Sequence, residues 1–96
     1  MLEKEIEKYL RKEVIKAGGV SYKFVSPGVV GVPDRIVLFP GGTLIFIEVK
    51  SPGKSLKPTQ LVQKEILNSM GRAVHIIDSF EQVDDLISPF RGRNAI

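Results

Sequence analysis

The feature that most constrains the fold of this chain is a pair of apolar segments separated by a short turn. Residues 34–39 and 43–50 are rich in Ile, Val, Leu and Phe, and the tripeptide Pro40-Gly41-Gly42 lies between them. Turns of this composition connect adjacent antiparallel strands. The sequence therefore predicts an antiparallel β-hairpin, and its continuous apolar runs predict burial on both faces.

Regular patterns on either side of the hairpin predict the other elements. Apolar residues recur every three or four positions in segment 2–17, which predicts an amphipathic helix ended by Gly18-Gly19. The other predicted elements, in chain order, are a strand at 20–24, a loop at 26–33, a helix at 58–70 with apolar Leu61, Ile66, Leu67 and Met70, a strand at 73–77 and a short helix at 79–88. The predicted order is α-β-β-β-α-β-α, an α/β fold with a mixed sheet.

Composition limits the classes of protein to which the chain can belong. Its 96 residues suit one domain, predicted to span residues 1–96. The lack of cysteine excludes a disulfide scaffold and a cysteine nucleophile, and the lone His75 excludes a multi-histidine metal site within one chain. No membrane span, signal peptide or nucleotide-binding loop is evident, so we expect a cytoplasmic protein with no membrane partner and no nucleotide cofactor.

Two carboxylates take equivalent positions on the two strands of the predicted hairpin. Asp34 lies seven residues before Gly41 and Glu48 lies seven residues after it, so the two face each other across an antiparallel pair. Like charges so placed repel, whereas a divalent cation between them, helped by the Val49 carbonyl, reverses the sign of the interaction. The simpler alternative is a strand-end salt bridge between Glu48 and Lys50.

Lys50 adds a cation beside these carboxylates. It lies two residues after Glu48, and the period of a strand places both side chains on one face. A lysine in this position can hold an attacking water or neutralise charge that develops on a phosphate. We expect it to be a surface-accessible charge.

These residues carry a family resemblance. The segments Gly31-Val32-Pro33-Asp34-Arg35 and Phe46-Ile47-Glu48-Val49-Lys50, with Gln60 downstream, resemble the VRR-NUC branch of the PD-(D/E)xK nucleases. The resemblance covers nearly the whole chain. It implies a restriction-endonuclease-like core of order α-β-β-β-α-β, with a mixed central sheet and a short C-terminal helix.

The resemblance also implies a set of site residues and a cofactor. Asp34 and Glu48, with the Val49 carbonyl, would hold Mg²⁺ or Mn²⁺. Lys50 would be the catalytic lysine, and Gln60 would point into the site from the start of the next helix.

Members of the family also contribute an acid from the first helix. Glu7 is the first candidate, because its eleven-residue distance to Gly18 resembles that in related junction resolvases. Glu3, one helical turn earlier on the same edge, is the alternative. For either glutamate, the simpler explanation is a surface charge with a partner one turn away.

The resemblance and the chain length together predict a substrate and an assembly. We expect a metal-dependent endonuclease that acts as a homodimer on branched DNA such as a four-way (Holliday) junction, in the host cytoplasm if the chain is phage-encoded. Two alternatives are a catalytically silent nucleic-acid-binding module of the same fold and a structural domain with an accidental motif. Candidate phosphate contacts, each also explicable as a solvated charge, are Lys23, Arg35, Lys54 and Lys57.

Two further residues stand out from their surroundings. Glu13 falls within the apolar stripe of the first helix, where no local pattern accounts for a charge. His75 lies in an apolar strand, which is more typical of a packed or edge histidine than of a catalytic base.

Overall fold

The structure, a computed structural model, describes residues 2–92 of the chain. Its elements are helices α1 (Glu3–Lys16), α2 (Pro58–Ser69) and α3 (Phe80–Ile87), strands β1 (Val20–Lys23), β2 (Arg35–Phe39), β3 (Thr43–Val49) and β4 (Val74–Ile77), and a 3₁₀ turn at Ser88–Phe90. The predicted element order is confirmed, and every element end lies within one residue of its predicted position. No helix within residues 2–92 is long and apolar enough to cross a membrane.

The four strands form one mixed sheet in the order β1-β2-β3-β4. The first three strands are antiparallel, and β4 runs parallel to β3. The turn between β2 and β3 uses left-handed backbone at Gly41 and Gly42, with φ of 98° and 92°, a conformation that glycine adopts without a steric penalty. This arrangement confirms the predicted α/β class with a mixed central sheet.

The hydrophobic core lies on one face of the sheet, under α1 and α3. Burial alternates along β2, where Arg35, Val37 and Phe39 are buried and the residues between them are half-buried. The core residues that α1, β3 and α3 contribute are Ile6, Leu10, Val14, Ala17, Ile45, Ile47, Val49, Val83 and Ile87. The prediction of burial on both faces of the hairpin is therefore wrong for most of its length.

The second face of the sheet is packed against fewer buried side chains than the first face. It faces α2, and no residue of α2 is buried. Leu61, Ile66 and Met70, which form part of the predicted apolar pattern of this helix, are exposed. Helical periodicity identified the helix correctly, but it does not report which apolar side chains find a partner.

The structure explains the charge of Glu13 within the apolar stripe of α1. Glu13 is buried, and its Oε1 accepts a hydrogen bond from Arg91 Nη2 at 2.9 Å. The same Nη2 also donates to Asp84 Oδ1, which accepts a further bond from the Tyr9 hydroxyl at 2.7 Å. This network fastens the end of the described chain to α1 and α3. His75 is exposed on the edge strand β4, as the sequence indicated.

Candidate active site

Asp34 and Glu48 lie opposite each other at the end of the β2–β3 hairpin that is away from its turn. The β2–β3 register pairs Arg35 with Ile47, and its extension by one residue pairs Asp34 with Glu48. The two carboxyl groups share a hydrogen bond, and only 3% of Glu48 is exposed. The alternation of side chains along a strand places both on the thinly covered second face, towards α2. The juxtaposition predicted from the sequence is thus present in the structure.

The environment of Glu48 disfavours the ionised form of its carboxyl group. Burial raises the pKa of Glu48 to about 8, and the charge of Asp34 and the hydrogen bond to it contribute to the increase, whereas Lys50 opposes it. At neutral pH the Glu48 carboxyl is therefore mostly protonated in the metal-free protein. Two opposed carboxylates, one of which is costly to ionise, form a donor set that fits a hard divalent cation, because the cation interacts favourably with both.

Asp34 is held in place through both its side chain and its main chain. Its Oδ2 accepts a hydrogen bond from the Val49 amide at 3.0 Å, across the hairpin. Its carbonyl oxygen accepts from the Phe24 amide at 2.7 Å, which closes the base of the loop between β1 and β2. The preceding Pro33 is buried. The Asp34 carboxylate is consequently fixed in position relative to β3.

Lys50 and Gln60 both approach the carboxylate of Glu48. Lys50 Nζ lies 3.9 Å from Glu48 Oε2, and Gln60 Nε2 donates to the same oxygen at 3.0 Å. Only 8% of Lys50 is exposed, so the expectation of a surface-accessible lysine is wrong. Asp34, Lys50 and Gln60 therefore converge on one buried glutamate.

The loop between β1 and β2 packs directly against the first turn of α2. Gly31 has a φ of 94°, and a Cβ at this position would lie 2.4 Å from the Thr59 carbonyl oxygen and 2.9 Å from the Gln60 amide nitrogen. Only glycine fits this approach. The contact brings Gln60 to Glu48.

A small crevice between the loop and α2 reaches Glu48. Gly31, Gln60 and Lys64 are among the residues that line it. Lys64, one helical turn after Gln60, was not a predicted site residue. Its spacing of four residues from Gln60 is the signal that could have identified it.

The two candidate acids of α1 have different surroundings. Glu7 Oε1 accepts a hydrogen bond from Arg35 Nη2 at 2.6 Å. Glu3 lies close enough to Glu48 for its charge to contribute to the raised pKa of that residue. Within residues 2–92, no group of three Asp, Glu, His or Cys side chains is close enough to bind one ion. A metal-ligand role for Glu7 or Glu3 stays a prediction.

The candidate phosphate contacts divide into two groups. Lys23, at the end of β1, and Lys54 and Lys57, in the loop before α2, are exposed. Arg35 is buried beneath α1. The three lysines are available to a large anionic partner, and a phosphate contact from each of the four residues stays a prediction.

The chain is similar to two proteins whose descriptions name a class. The "Putative nuclease p44" of Acyrthosiphon pisum secondary endosymbiont phage 1 is 51% identical over 77 residues, which cover 80% of this chain and 83% of the relative. A solved structure described as a VRR_NUC domain has a TM-score of 0.84 and 34% identity, and the match covers 90% of this chain and 94% of that chain. No protein-family model matches the chain.

The mixed sheet, with an Asp opposite a Glu-x-Lys at the end of its hairpin, defines a nuclease domain of the restriction-endonuclease-like class. The agreement in sequence and structure extends over most of both compared proteins. The chain belongs to the VRR-NUC family, which confirms the resemblance seen in its sequence motif.

Proposed function

We propose that the chain is a Mg²⁺- or Mn²⁺-dependent endonuclease that hydrolyses phosphodiester bonds in branched DNA, such as a four-way junction, and acts as a homodimer. The observation that carries the proposal is the convergence of Asp34, Lys50 and Gln60 on the buried carboxyl of Glu48. A merely structural salt bridge needs neither the opposed aspartate nor the glutamine.

The residues that would hold the metal are Asp34 and Glu48, with the Val49 carbonyl and an α1 carboxylate, either Glu7 or Glu3. A bound Mg²⁺ lowers the pKa of a coordinated water and offsets charge on a phosphate oxygen. Because Mg²⁺ retains several waters and needs only one or two protein carboxylates, the two opposed residues provide a sufficient core for the site.

The remaining site residues position the reacting groups. Lys50 holds the attacking water in line with the scissile bond and offsets charge that develops on the non-bridging phosphate oxygens. Gln60 fixes the Glu48 carboxylate through its amide nitrogen. The low exposure of Glu48 and Lys50 strengthens these interactions, because water screens them less.

The charge distribution supports DNA as the substrate. Segments 14–33 and 49–64, which flank the two carboxylates in the chain, contain six lysines and no acidic residue. Lys23, Lys54 and Lys57 are exposed in these segments. Lysines so placed bind phosphates through a salt-dependent, sequence-independent interaction.

The thinly covered second face of the sheet supports a homodimer. Val20 and Tyr22 of β1 are exposed there, and α2 exposes Val62, Ile66 and Met70, spaced four residues apart on one side of the helix. Exposed apolar groups of this kind favour burial against another surface, and two-fold dimers are the commonest homo-oligomers. Two active sites related by a two-fold axis suit the approximate two-fold symmetry of a junction. The similarity to a phage protein supports action in the cytoplasm of an infected host.

A cleavage assay with a matched pair of variants tests the proposal. Labelled duplex, flap and four-way-junction DNA would be incubated with wild type, Lys50→Met and the control Lys12→Met, at an exposed position of α1, in Mg²⁺, Mn²⁺ or EDTA. Methionine keeps most of the buried stem of Lys50, so the variant tests the charge rather than the packing. We expect metal-dependent junction cleavage by wild type and Lys12→Met and none by Lys50→Met. Salt-sensitive DNA binding without cleavage in any metal would instead identify a catalytically silent binding module.

A further inference from the structure

Lys64 is the one lysine that is neither exposed nor paired with a carboxylate within the described range of the chain. Of the nine lysines, Lys50 is buried beside Glu48, Lys64 is half-buried and the other seven are exposed. No ion pair or side-chain hydrogen bond joins Lys64 to another residue of segment 2–92. A half-buried ammonium group without an anion has lost part of its hydration with no compensating contact.

The crevice that Lys64 lines leads to the two opposed carboxyl groups. It is lined by the loop residues Gly31 and Pro33, by Gln60 and Lys64 of α2, and by Glu48. Gln60 Nε2 contacts Glu48 Oε2 directly, at 3.0 Å. Lys64 follows Gln60 by four residues, about 6 Å further along the helix axis and on the same side of the helix. It therefore lies one helical turn beyond the residue that touches the carboxyl group.

A lysine in this position could also serve only to cover apolar surface. Leu56, Val74 and Ile76 complete the lining of the crevice, and a lysine stem packs on such side chains while its ammonium group stays in water. Leucine or methionine would cover the same surface without a partly desolvated charge. Segment 49–64 contains four lysines and no acidic residue, so its own sequence supplies no counter-charge. The position therefore favours an anion that comes from the substrate.

We propose that Lys64 binds a non-bridging oxygen of a DNA phosphate next to the scissile one and so fixes the register of the cut strand. The inference rests on the DNA substrate stated under the proposed function, in which the scissile phosphate lies at Asp34 and Glu48. Because Lys64 is displaced from Glu48 by one helical turn, it holds the neighbouring phosphate rather than the reacting one. An ammonium group is a compact point charge, which contacts phosphate without reading the base. Lys64 is thus a substrate-binding residue, distinct in role from Lys50.

A paired change in protein and DNA tests the contact. Each phosphate on either side of the cut would be replaced in turn by an uncharged methylphosphonate, and junction binding in EDTA would be measured for wild type, Lys64→Met and the control Lys12→Met. Methionine keeps most of the lysine stem. We expect one methylphosphonate position next to the cut to weaken binding by wild type and Lys12→Met about tenfold and to leave Lys64→Met unchanged. Equal effects in all three proteins at every position would overturn the proposal.

The salt dependence of binding and the cleavage kinetics define the role further. On unmodified junction DNA, Lys64→Met should lower the slope of log affinity against log salt by about one phosphate. In Mg²⁺ we expect its KM to rise about tenfold while kcat stays within about threefold, because the contact is the same in the ground state and the transition state. Lys64→Arg should retain most of the affinity, since it keeps the charge. An unchanged KM, or a loss confined to kcat, would overturn the proposal.

Thermal unfolding in EDTA reports the purely structural alternative. If Lys64 only covers apolar surface, Lys64→Met will melt at or above the wild-type temperature and will match wild type in affinity, salt slope and KM, which would overturn the proposal. If Lys64→Met fails to fold, Lys64→Gln takes its place in every comparison. A wild type that neither binds nor cuts DNA would overturn the proposed function itself. A wild type that cuts DNA no better than Lys64→Met would overturn only this inference.

Discussion

The side-chain amide of Gln60 joins the first turn of α2 to Glu48 at the end of β3. Its Nε2 donates to Glu48 Oε2 at 3.0 Å, and its Oε1 accepts from the Lys57 amide at 2.9 Å, where it caps the helix. One side chain thus serves both as a helix cap and as a partner of the buried carboxyl. The position of α2, which buries none of its residues, is thereby tied to the geometry of the site.

Gln60→Leu should remove both interactions while keeping similar bulk. We expect cleavage to fall by more than tenfold and the free energy of unfolding to fall by about 1 kcal/mol, the usual worth of a hydrogen bond. Gln63→Leu is the matched control, because Gln63 lies in the same helix with the same chemistry. Urea unfolding in EDTA and junction cleavage would be measured for both. Equal effects of the two substitutions would show that Gln60 has no specific role at Glu48.

Gly31→Ala should displace the first turn of α2. The added Cβ would lie 2.4 Å from the Thr59 carbonyl oxygen, on a backbone with a φ of 94°. We expect a loss of about 1–3 kcal/mol in the free energy of unfolding, the cost of such backbone strain, together with reduced cleavage. Gly28→Ala is the control, because a Cβ there meets no atom within 4 Å. A Gly31→Ala protein as stable as Gly28→Ala would contradict the close packing of the loop on α2.

The stability of the metal-free protein should decrease as the pH rises from about 5 to 8. Glu48 has a pKa of about 8 in the folded protein against an ordinary value of 4.5, so in this range the folded state binds more protons than the unfolded state. The free energy of unfolding therefore falls with rising pH. Thermal unfolding in EDTA at several pH values would measure the decrease, and Glu48→Gln should abolish most of it. The same slope in Glu48→Gln would assign the pH dependence to other groups.

Asp34→Asn should have opposite effects with and without metal. In EDTA at pH 8 or above, we expect a higher melting temperature than wild type, because the substitution removes the charge that opposes ionisation of Glu48. With Mn²⁺ present, we expect the variant to lose most of the stabilisation that metal gives wild type. Differential scanning fluorimetry in both conditions measures the two shifts. A lower melting temperature in EDTA would show that the Val49 amide bond to Asp34 outweighs the repulsion.

The sequence was sufficient to predict the helices and strands and to place the two carboxylates opposite each other, because both features depend on local patterns. The hairpin turn at Gly41-Gly42 sets the register, and the register places Asp34 opposite Glu48. Helical and strand periods likewise gave element ends to within one residue. These features need no knowledge of how distant segments pack.

Contacts between distant segments could not be predicted in the same way. Glu13 meets Arg91 across 78 residues, and Glu7 meets Arg35 across 28. No local spacing encodes either pair. The burial of Lys50 depends on how the second face of the sheet is covered, which a strand pattern does not report.

The exposed stripe of α2 gives the last prediction, which concerns assembly. Ile66 lies at the centre of the stripe formed by Val62, Ile66 and Met70, and 43% of it is exposed. Ile66→Lys should leave the monomer folded but place a charge in the proposed dimer interface, where its desolvation opposes association. Glu65→Lys, on the adjacent exposed position, adds a lysine outside the stripe and is the control.

Sedimentation velocity over a range of concentrations would measure the assembly. We expect wild type and Glu65→Lys to sediment as dimers and Ile66→Lys to shift towards monomer. On a four-way junction, Ile66→Lys should then convert paired cuts on opposing strands into single nicks, because each monomer carries one site. A dimeric Ile66→Lys would place the interface elsewhere. A monomeric wild type that still makes paired cuts would show that two strands are cut without a stable dimer.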